Sequence, residues 1–352
     1  MSSAPNLAQC PTRPKYQQQE VGRTPASARD PQVALLRTNQ KGGALLAVLW
    51  LTAALMAIAF SVANTVRGET ERTGTASEGI RTYYLATGSI DRAMLYLQWG
   101  PQYRNPDGTA KFWEPGMSRF RFVFPSGVST VELIPESSKL SLYAARPEQL
   151  TGLMINLGVI PEQAQEITAA IVDWRTPALT GPFDEYYLSR TPSFRARHAS
   201  FEELEELLLV KGMTPEIFYG SFMRDPQGRL YPRSGLKDCV SVYGLGGPVD
   251  INSADPAVLA TVGLPPEAIA AIVDRRRAAP FKTTQELQGL TQGAAAGRLM
   301  VGGGSIYTLR ATAQLRLPNG GFSDLRRTVS ALVKFREPGY NPPIEILRWY
   351  DN

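Results

Sequence analysis

The chain has 352 residues, of which 43% are hydrophobic and 20% charged, so it is neither fibrous nor wholly disordered and can bury a core. Its formal net charge is +5, but residues 1–42 alone carry six basic residues against two acids. The rest of the chain is therefore nearly neutral, which argues against a basic groove that follows nucleic-acid phosphates. We expect no nucleic-acid partner.

The two cysteines and the single histidine limit the metal and redox chemistry. Cys10 and Cys239 lie on opposite sides of a long apolar segment, and with His198 they cannot supply the four ligands of a tetrahedral zinc ion. We expect Cys239 to be a free, buried thiol. Because no Walker, nucleophile-elbow or metalloprotease motif occurs in the sequence, we expect no enzymatic activity.

A basic leader precedes an uncharged apolar segment. Residues 1–42 are rich in Pro, Ser, Gln and Arg, which predicts a disordered leader. Residues 43–66 contain no charge and are enough helix to cross about 30 Å of hydrocarbon. The basic leader predicts a cytoplasmic N-terminus, hence a single-pass membrane protein in which everything after Arg67 faces outward. Apolar residues recur at helical spacing beyond the membrane segment, so one helix over about residues 44–98 is predicted.

The start of the apolar segment resembles a prepilin cleavage and N-methylation motif, in which a basic leader ends in glycine before a long apolar helix. The residues are Lys41-Gly42-Gly43-Ala44-Leu45-Leu46-Ala47, with the cut after Gly42 or after Gly43. A cut after Gly42 puts Ala47 at the fifth mature position, where most pilin-like proteins have glutamate. The type II secretion pseudopilin family K is the class that lacks this glutamate. The resemblance implies processing by a prepilin peptidase, with a plain signal anchor and a cleaved secretory signal as alternatives.

Alternating residues predict strands on both sides of a helical middle. A hairpin is predicted from residues 120–124 and 128–134, and further strands over residues 306–317, 323–335 and 343–349. The predicted fold class is α+β: a pilin-like long N-terminal helix packed on a small antiparallel sheet, with a large inserted α-domain containing two helix-hairpin-helix-like repeats.

The repeats cover about residues 139–213 and 249–293. Ile171-Val172-Asp173 matches Ile272-Val273-Asp274, and the offset between the units falls in steps of four residues, so each helix of the second unit should be one turn shorter. Helix-hairpin-helix modules often bind duplex phosphates through a Gly-x-Gly hairpin, which makes a membrane-anchored, competence-like DNA-binding protein the main alternative. Both hairpins, residues 157–161 and 262–266, lack the second glycine and contain proline, which has no N–H to donate.

The resemblance to pseudopilin K extends over nearly the whole chain. It rests on the motifs Asp173-Trp174-Arg175, Asp184-Glu185-Tyr186-Tyr187, Phe194-Arg195-Ala196-Arg197 and Asp250-Ile251-Asn252-Ser253-Ala254. The organisation it implies is a cleaved leader (1–42), the transmembrane part of the helix (43–66), a periplasmic helix with the first strands (67–138), the inserted α-domain (139–300) and the C-terminal strands (301–352).

The implied role is that of a non-enzymatic minor pseudopilin of a type II secretion system. Such a subunit caps the tip of the periplasmic pseudopilus with minor pseudopilins I and J and other pseudopilus subunits, and helps to initiate assembly for export of folded proteins across the outer membrane. A first subunit has no neighbour above it, so it can dispense with the glutamate that Ala47 replaces. A signal-anchored periplasmic protein of unknown role is a further alternative.

Asp173, Asp184 and Glu185 are the candidate metal ligands. Carboxylates in a loop with glycine and proline suit calcium, which takes six to eight oxygen ligands. The family resemblance also implies stabilisation by calcium, although Thr176 and Pro177 stand here where the family often has further acids. In the alternative interpretation, Asp173 caps its helix or pairs with Arg175 or Arg195, and the other two carboxylates are merely solvated. An acid–base pair of Asp173 with Glu185 has no substrate cleft in the sequence to support it.

Overall fold

The computed structural model describes residues 43–244, 246–287, 289, 297–337 and 339–351. The predicted disordered leader, with Cys10 and Gly42, lies outside the described residues, as does the end of the second repeat from residue 290. The chain divides into two compact units, residues 1–67 and residues 68–352.

The helices and strands follow in chain order. The α-helices are α1 (Gly43–Trp99), α2 (Pro147–Asn156), α3 (Pro161–Arg175), α4 (Asp184–Leu188), α5 (Pro215–Tyr219), α6 (Leu236–Cys239), α7 (Pro256–Thr261) and α8 (Pro266–Ala278). The strands are β1 (Arg119–Phe124), β2 (Gly127–Pro135), β3 (Leu140–Ser141), β4 (Ser221–Arg224), β5 (Leu230–Arg233), β6 (Val240–Ser241), β7 (Val249–Asp250), β8 (Leu299–Met300), β9 (Ile306–Arg316), β10 (Phe322–Phe335) and β11 (Ile344–Asp351). In the described part of the chain, short 3₁₀ turns occupy Glu136–Ser138, Leu204–Leu209 and Thr284–Leu287.

Helix α1 is continuous from Gly43 to Trp99, which confirms the predicted single helix to within one residue at each end. In the first unit every side chain from residue 43 to 67 is exposed, and the helix is long and apolar enough to cross a membrane. In the second unit the same helix buries one face, with Ala86, Ile90 and Ala93 fully covered. The three- and four-residue spacing of these residues is the helical periodicity that the sequence predicted.

A five-stranded antiparallel sheet covers that face of α1. Its strand order is β1-β2-β9-β10-β11, and β2 pairs with β9 from Gly127 opposite Leu315 to Pro135 opposite Tyr307. These central neighbours are far apart in sequence, so the chain leaves the sheet after β2 and returns at β9. We call the segment between β2 and β9 the helical middle. The predicted strands and the hairpin between β1 and β2 are confirmed.

The described residues of the second unit form two apolar clusters. One lies between α1 and the sheet and includes Ile90, Val131 and Ala311. The other lies in the helical middle and is built from both helix pairs, with Leu150, Ile171, Val258 and Ile272 among its members. Cys239 is a fully buried, free thiol in this second cluster, as predicted.

Two helix pairs, α2 with α3 and α7 with α8, have related turns. Gly158 (φ +77°) and Gly263 (φ +91°) take the left-handed conformation that follows many helix ends, and proline begins the second helix of each pair. Helix α7 is four residues shorter than α2, 6 against 10, as expected. Helix α8 is only two residues shorter than α3, 13 against 15, because it continues for two residues beyond the position that matches the end of α3.

Candidate functional site

Processing was predicted at the start of helix α1. Gly43 is the first residue of α1, Ala47 is exposed on the next turn, and the first turn carries no acidic side chain. Gly42 lies outside the described residues. The structure therefore places Gly43 and Ala47 at the start of an apolar helix, and cleavage and methylation stay predictions.

A carboxylate and imidazole cluster occupies the region where calcium was predicted. Asp173 lies in the last turn of α3, Asp184 begins α4, and His198 lies in the following loop. The His198 Nε2 atom is 2.9 Å from Asp184 Oδ1, and its Nδ1 atom is 3.2 Å from the backbone oxygen of Asp173 and 4.0 Å from Asp173 Oδ1. Because both ring nitrogens face oxygen acceptors, the arrangement suits the imidazolium, which can donate from both.

The electrostatics of the cluster follow from these contacts. Burial works against charging of His198, but the hydrogen bonds to Asp184 and to the backbone of Asp173 outweigh it and raise the pKa of the imidazole. The hydrogen bond from the Gly181 backbone, 2.9 Å to Asp184 Oδ2, and that from His198 lower the pKa of Asp184. Burial raises the pKa of Asp173 despite the nearby imidazole. The contacts thus favour the charged forms of His198 and Asp184 and disfavour the charged form of Asp173.

Close packing holds the cluster together. A Cβ atom on Gly181 would lie 2.2 Å from Asp173 Oδ1 and 2.4 Å from His198 Cε1, so only glycine fits there. His198 itself has φ +46°, a left-handed conformation that is uncommon for residues other than glycine. The Asp173 Oδ2 atom is buried and has no hydrogen-bond partner within the described part of the chain. The surrounding loop therefore fixes His198 against both carboxyl groups.

The predicted ligand set is only partly assembled. Asp173 and Asp184 come together, but Glu185 is exposed, and no group of three or more His, Cys, Asp or Glu side chains among the described residues could hold a metal ion. The alternative pairing of Asp173 with Arg175 is wrong, since Arg175 donates to backbone oxygens elsewhere. The prediction missed His198 as a partner, although its being the only histidine was a signal in the sequence.

Two arginines make equivalent contacts in the two helix pairs. At the end of α3, the Arg175 guanidinium donates to the backbone oxygens of Leu142 and Ala145. In α8, Arg276 Nη1 donates to the oxygens of Ile251 (2.8 Å) and Ala254 (2.7 Å). Burial lowers the pKa of both guanidinium groups. Each arginine thus fastens its helix to the segment that enters the helix pair.

A buried carboxylate joins the sheet to the helical middle. Glu136, just after β2, accepts hydrogen bonds from Ser241 Oγ (2.5 Å) and from Thr308 Oγ1 in β9 (2.7 Å). Lys139 Nζ lies 3.0 Å from Glu136 Oε1, and the two side chains are 13% and 5% exposed. The ion pair is therefore largely shielded from solvent, and the Glu136 carboxylate connects three segments that are distant in sequence.

Comparison with known proteins identifies relatives of this chain. Residues 134–219 match the family described as type II secretion system (T2SS), protein K. Type II secretion system protein K of Klebsiella pneumoniae is 27% identical over 197 residues, which cover 51% of this chain and 60% of the relative. The same protein of Pectobacterium carotovorum subsp. carotovorum is 25% identical over 215 residues, 52% of this chain and 61% of the relative. The matches thus span less than two thirds of these curated relatives.

A solved structure shares the fold. A chain in the crystal structure of the GspK-GspI-GspJ complex from the enterotoxigenic Escherichia coli type 2 secretion system matches with a TM-score of 0.52 at 17% identity, over 80% of this chain and 99% of that chain. At this identity the match establishes the fold alone. Together with the sequence relatives, it confirms the resemblance to the protein K family that the motifs predicted.

Proposed function

We propose that this chain belongs to the type II secretion system protein K family and is a minor pseudopilin of a type II secretion system. Its role is to cap the tip of the periplasmic pseudopilus and to help initiate assembly for export of folded proteins. The observation that carries the proposal is the protein K match over residues 134–219 within a fold that covers 99% of a chain from the GspK-GspI-GspJ complex. The role is structural and not catalytic.

The proposed partners are minor pseudopilins I and J, because the structural neighbour is a complex that contains GspI and GspJ. A tip position is supported by the size of the segment inserted between β2 and β9. A helical middle of that size would obstruct repeated stacking of identical subunits, whereas one copy at the end of a filament has room for it. Removal of this chain should therefore abolish secretion while the major pseudopilin is still made.

We place the chain in the inner membrane as a single-pass protein with residues 43–66 as its span and the second unit in the periplasm. The exposed, uncharged start of α1 supports this location. A prepilin peptidase would cut after Gly42 or Gly43, and Ala47 would leave the fifth mature position without the pilin glutamate. Cleavage would convert the apolar helix from a simple anchor into a segment that assembles with other subunits.

We propose that residues 139–300 form an inserted α-domain and that α2–α3 and α7–α8 are helix-hairpin-helix-like repeats. The related glycine turns support the repeats, as do the matched contacts of Arg175 and Arg276. The turns offer few backbone donors to a phosphate, because Pro161 and Pro266, which have no N–H, begin the second helices.

Calcium binding by Asp173, Asp184 and Glu185 stays a prediction. Two of these carboxyl groups already lie against His198, so a calcium ion would have to displace the imidazole or bind beside it. Calorimetric titration of the full chain with calcium, with the melting temperature measured in parallel, tests this point. Absence of both heat and a melting shift would remove calcium from the account.

Two measurements test the function. In cells that lack this chain, the exported proteins should accumulate in the periplasm, and the wild-type chain should restore export. Intact-mass analysis after coexpression with a prepilin peptidase should show loss of residues 1–42 and methylation at Gly43. Normal export without the chain would contradict the secretion role, whereas an uncut leader would contradict only the processing.

A further inference from the structure

Strands β4 and β5 form an isolated hairpin in the helical middle. They pair antiparallel, from Ser221 opposite Arg233 to Arg224 opposite Leu230, and no other strand in the described part of the chain extends them. Six of the eight strand residues are exposed. Because an isolated two-stranded hairpin is marginally stable in water, its order must come from its turn and its base. We call residues 221–233 the β4–β5 hairpin.

The turn of the β4–β5 hairpin is fixed by one carboxylate. Asp225 Oδ1 accepts from the backbone nitrogens of Gln227 (3.0 Å) and Arg229 (2.8 Å), and Asp225 Oδ2 accepts from Arg229 Nε (2.7 Å). Gly228, with φ +80°, supplies the left-handed residue that completes the turn. The tip is therefore polar and internally satisfied.

The base of the hairpin is fixed by close backbone contact. A Cβ atom on Gly220 would lie 2.3 Å from the backbone oxygen of Arg233, and one on Gly235 would lie 2.3 Å from the Gly220 nitrogen. Phe218, two residues before Gly220, and Leu236, directly after Gly235, are fully buried in the core of the helical middle. The hairpin is thus held at both its turn and its base. Because it is held in this position, its exposed apolar side chains cannot fold back onto the core.

The two faces of the hairpin differ. Side chains alternate along a strand, so Phe222, Arg224 and Leu230 lie on one face, which we call the Phe222 face. Phe222 is 72% and Leu230 61% exposed, and Arg224 forms no ion pair within the described part of the chain. On the opposite face, Met223 and Tyr231 are less exposed, and the Arg233 guanidinium lies 3.9 Å from the Met223 sulfur. The Phe222 face is the open one.

The charge around this apolar face is positive. Residues 219–237 contain four basic residues, Arg224, Arg229, Arg233 and Lys237, against the single acid Asp225, a net charge of +3 for the segment. Arg224 lies on the Phe222 face itself, whereas Arg233 lies on the opposite face. The Asp225 carboxylate is already engaged with Arg229 in the turn. A ligand surface that complements the Phe222 face would therefore be apolar with carboxylates around it.

We propose that the Phe222 face is a docking surface for a protein partner that presents an apolar cleft rimmed by carboxylates, with strand pairing along the hairpin edge. A membrane is disfavoured because the tip is polar, whereas a loop that inserts into lipid needs its apolar side chains at the tip. A second copy of this chain is disfavoured because two positive hairpins repel each other. The proposal does not depend on the secretion role, since it rests on exposure and charge alone.

The test is photocrosslinking of the full chain in the cells that make it. p-Benzoylphenylalanine is placed at Phe222 or, as a control on the opposite face, at Tyr231. We expect one protein adduct from position 222 and an adduct at least about fivefold weaker from position 231. Arg224→Glu should lower the adduct yield at position 222 by about tenfold or more, while Arg326→Glu, a matched change of an exposed arginine in β10, should leave the yield unchanged.

The other outcomes overturn the proposal. An adduct with lipid mass would identify a membrane, and an adduct of two copies of this chain would identify self-association. Equal yields from both faces, no adduct at all, or an Arg224→Glu variant that crosslinks as well as the parent would each remove the specific docking surface. Melting curves of each variant, which should match the parent because the altered side chains are exposed, show that any loss of crosslinking is not a loss of folding.

Discussion

Replacing Arg276 by alanine should destabilise the helical middle strongly, because Arg276 satisfies two buried backbone oxygens. Its Nη1 atom donates to Ile251 and Ala254, and both of these residues have no exposed surface. A hydrogen bond from a charged donor contributes about 1.5–3 kcal/mol, and a buried acceptor left unpaired costs a similar amount. The expected loss in the free energy of unfolding is therefore about 3–5 kcal/mol.

The neighbouring residue provides the matched control. Arg277 is exposed and pairs with Asp274 at 3.5 Å on the helix surface, so Arg277→Ala should cost no more than about 0.5 kcal/mol. Thermal unfolding of the full chain in detergent, followed by far-ultraviolet circular dichroism, should show a melting temperature about 6–15 °C lower for Arg276→Ala. The wild-type chain and Arg277→Ala should melt together.

The comparison also tests the repeat. Arg175→Ala should behave like Arg276→Ala, because Arg175 donates to the oxygens of the buried residues Leu142 and Ala145. If Arg276→Ala lost no more stability than Arg277→Ala, the conclusion that the Arg276 guanidinium stabilises the position of α8 would be refuted. A large loss for only one of the two arginines would show that the two helix pairs do not depend on equivalent contacts.

Three further predictions concern single side chains. The pKa of His198 is raised above its ordinary 6.5 in the folded chain. The protonated imidazole therefore stabilises the fold fully below about pH 6.5, and this contribution to the free energy of unfolding is lost as the pH rises through the pKa of the folded state. In urea unfolding measured from pH 6 to 9, His198→Gln should lack this decline in stability. Glu136→Ala should lower the free energy of unfolding in urea by about 3–5 kcal/mol, because it leaves Lys139 buried without its partner. Glu132→Ala, on the sheet surface, should lower it by about 1 kcal/mol or less. Equal losses would contradict the role of Glu136 as a buried connection between the sheet and the helical middle. Burial raises the pKa of the Cys239 thiol, so a thiol reagent should modify it only after unfolding, and rapid reaction of the native chain would contradict its burial.

Features with a local physical signal were predictable from the sequence. The uncharged run before Arg67 and the apolar spacing after it belong to one helix. The run is recognisable by its length, because a span of the membrane is apolar all round, whereas burial of one face imposes the 3.6-residue period after it. Strand alternation located β1, β2, β9, β10 and β11 to within a few residues. The signal is clear in β1, β2, β9 and β10 because one face of each contributes buried residues to the cluster that includes α1. Three of the family motifs, at residues 173–175, 184–187 and 194–197, lie within residues 134–219, which match the protein K family.

Partnerships between distant residues needed the tertiary structure. No sequence period says that β2 lies beside β9, since hydrogen-bonded strand order depends on how the whole chain returns to the sheet. Glu136 meets Ser241 and Thr308, which are 105 and 172 residues away along the chain. His198 reaches Asp173 across 25 residues because α4 and its loop turn back on α3. Periodicity shows which side of an element is buried, whereas only the folded chain determines which groups meet there.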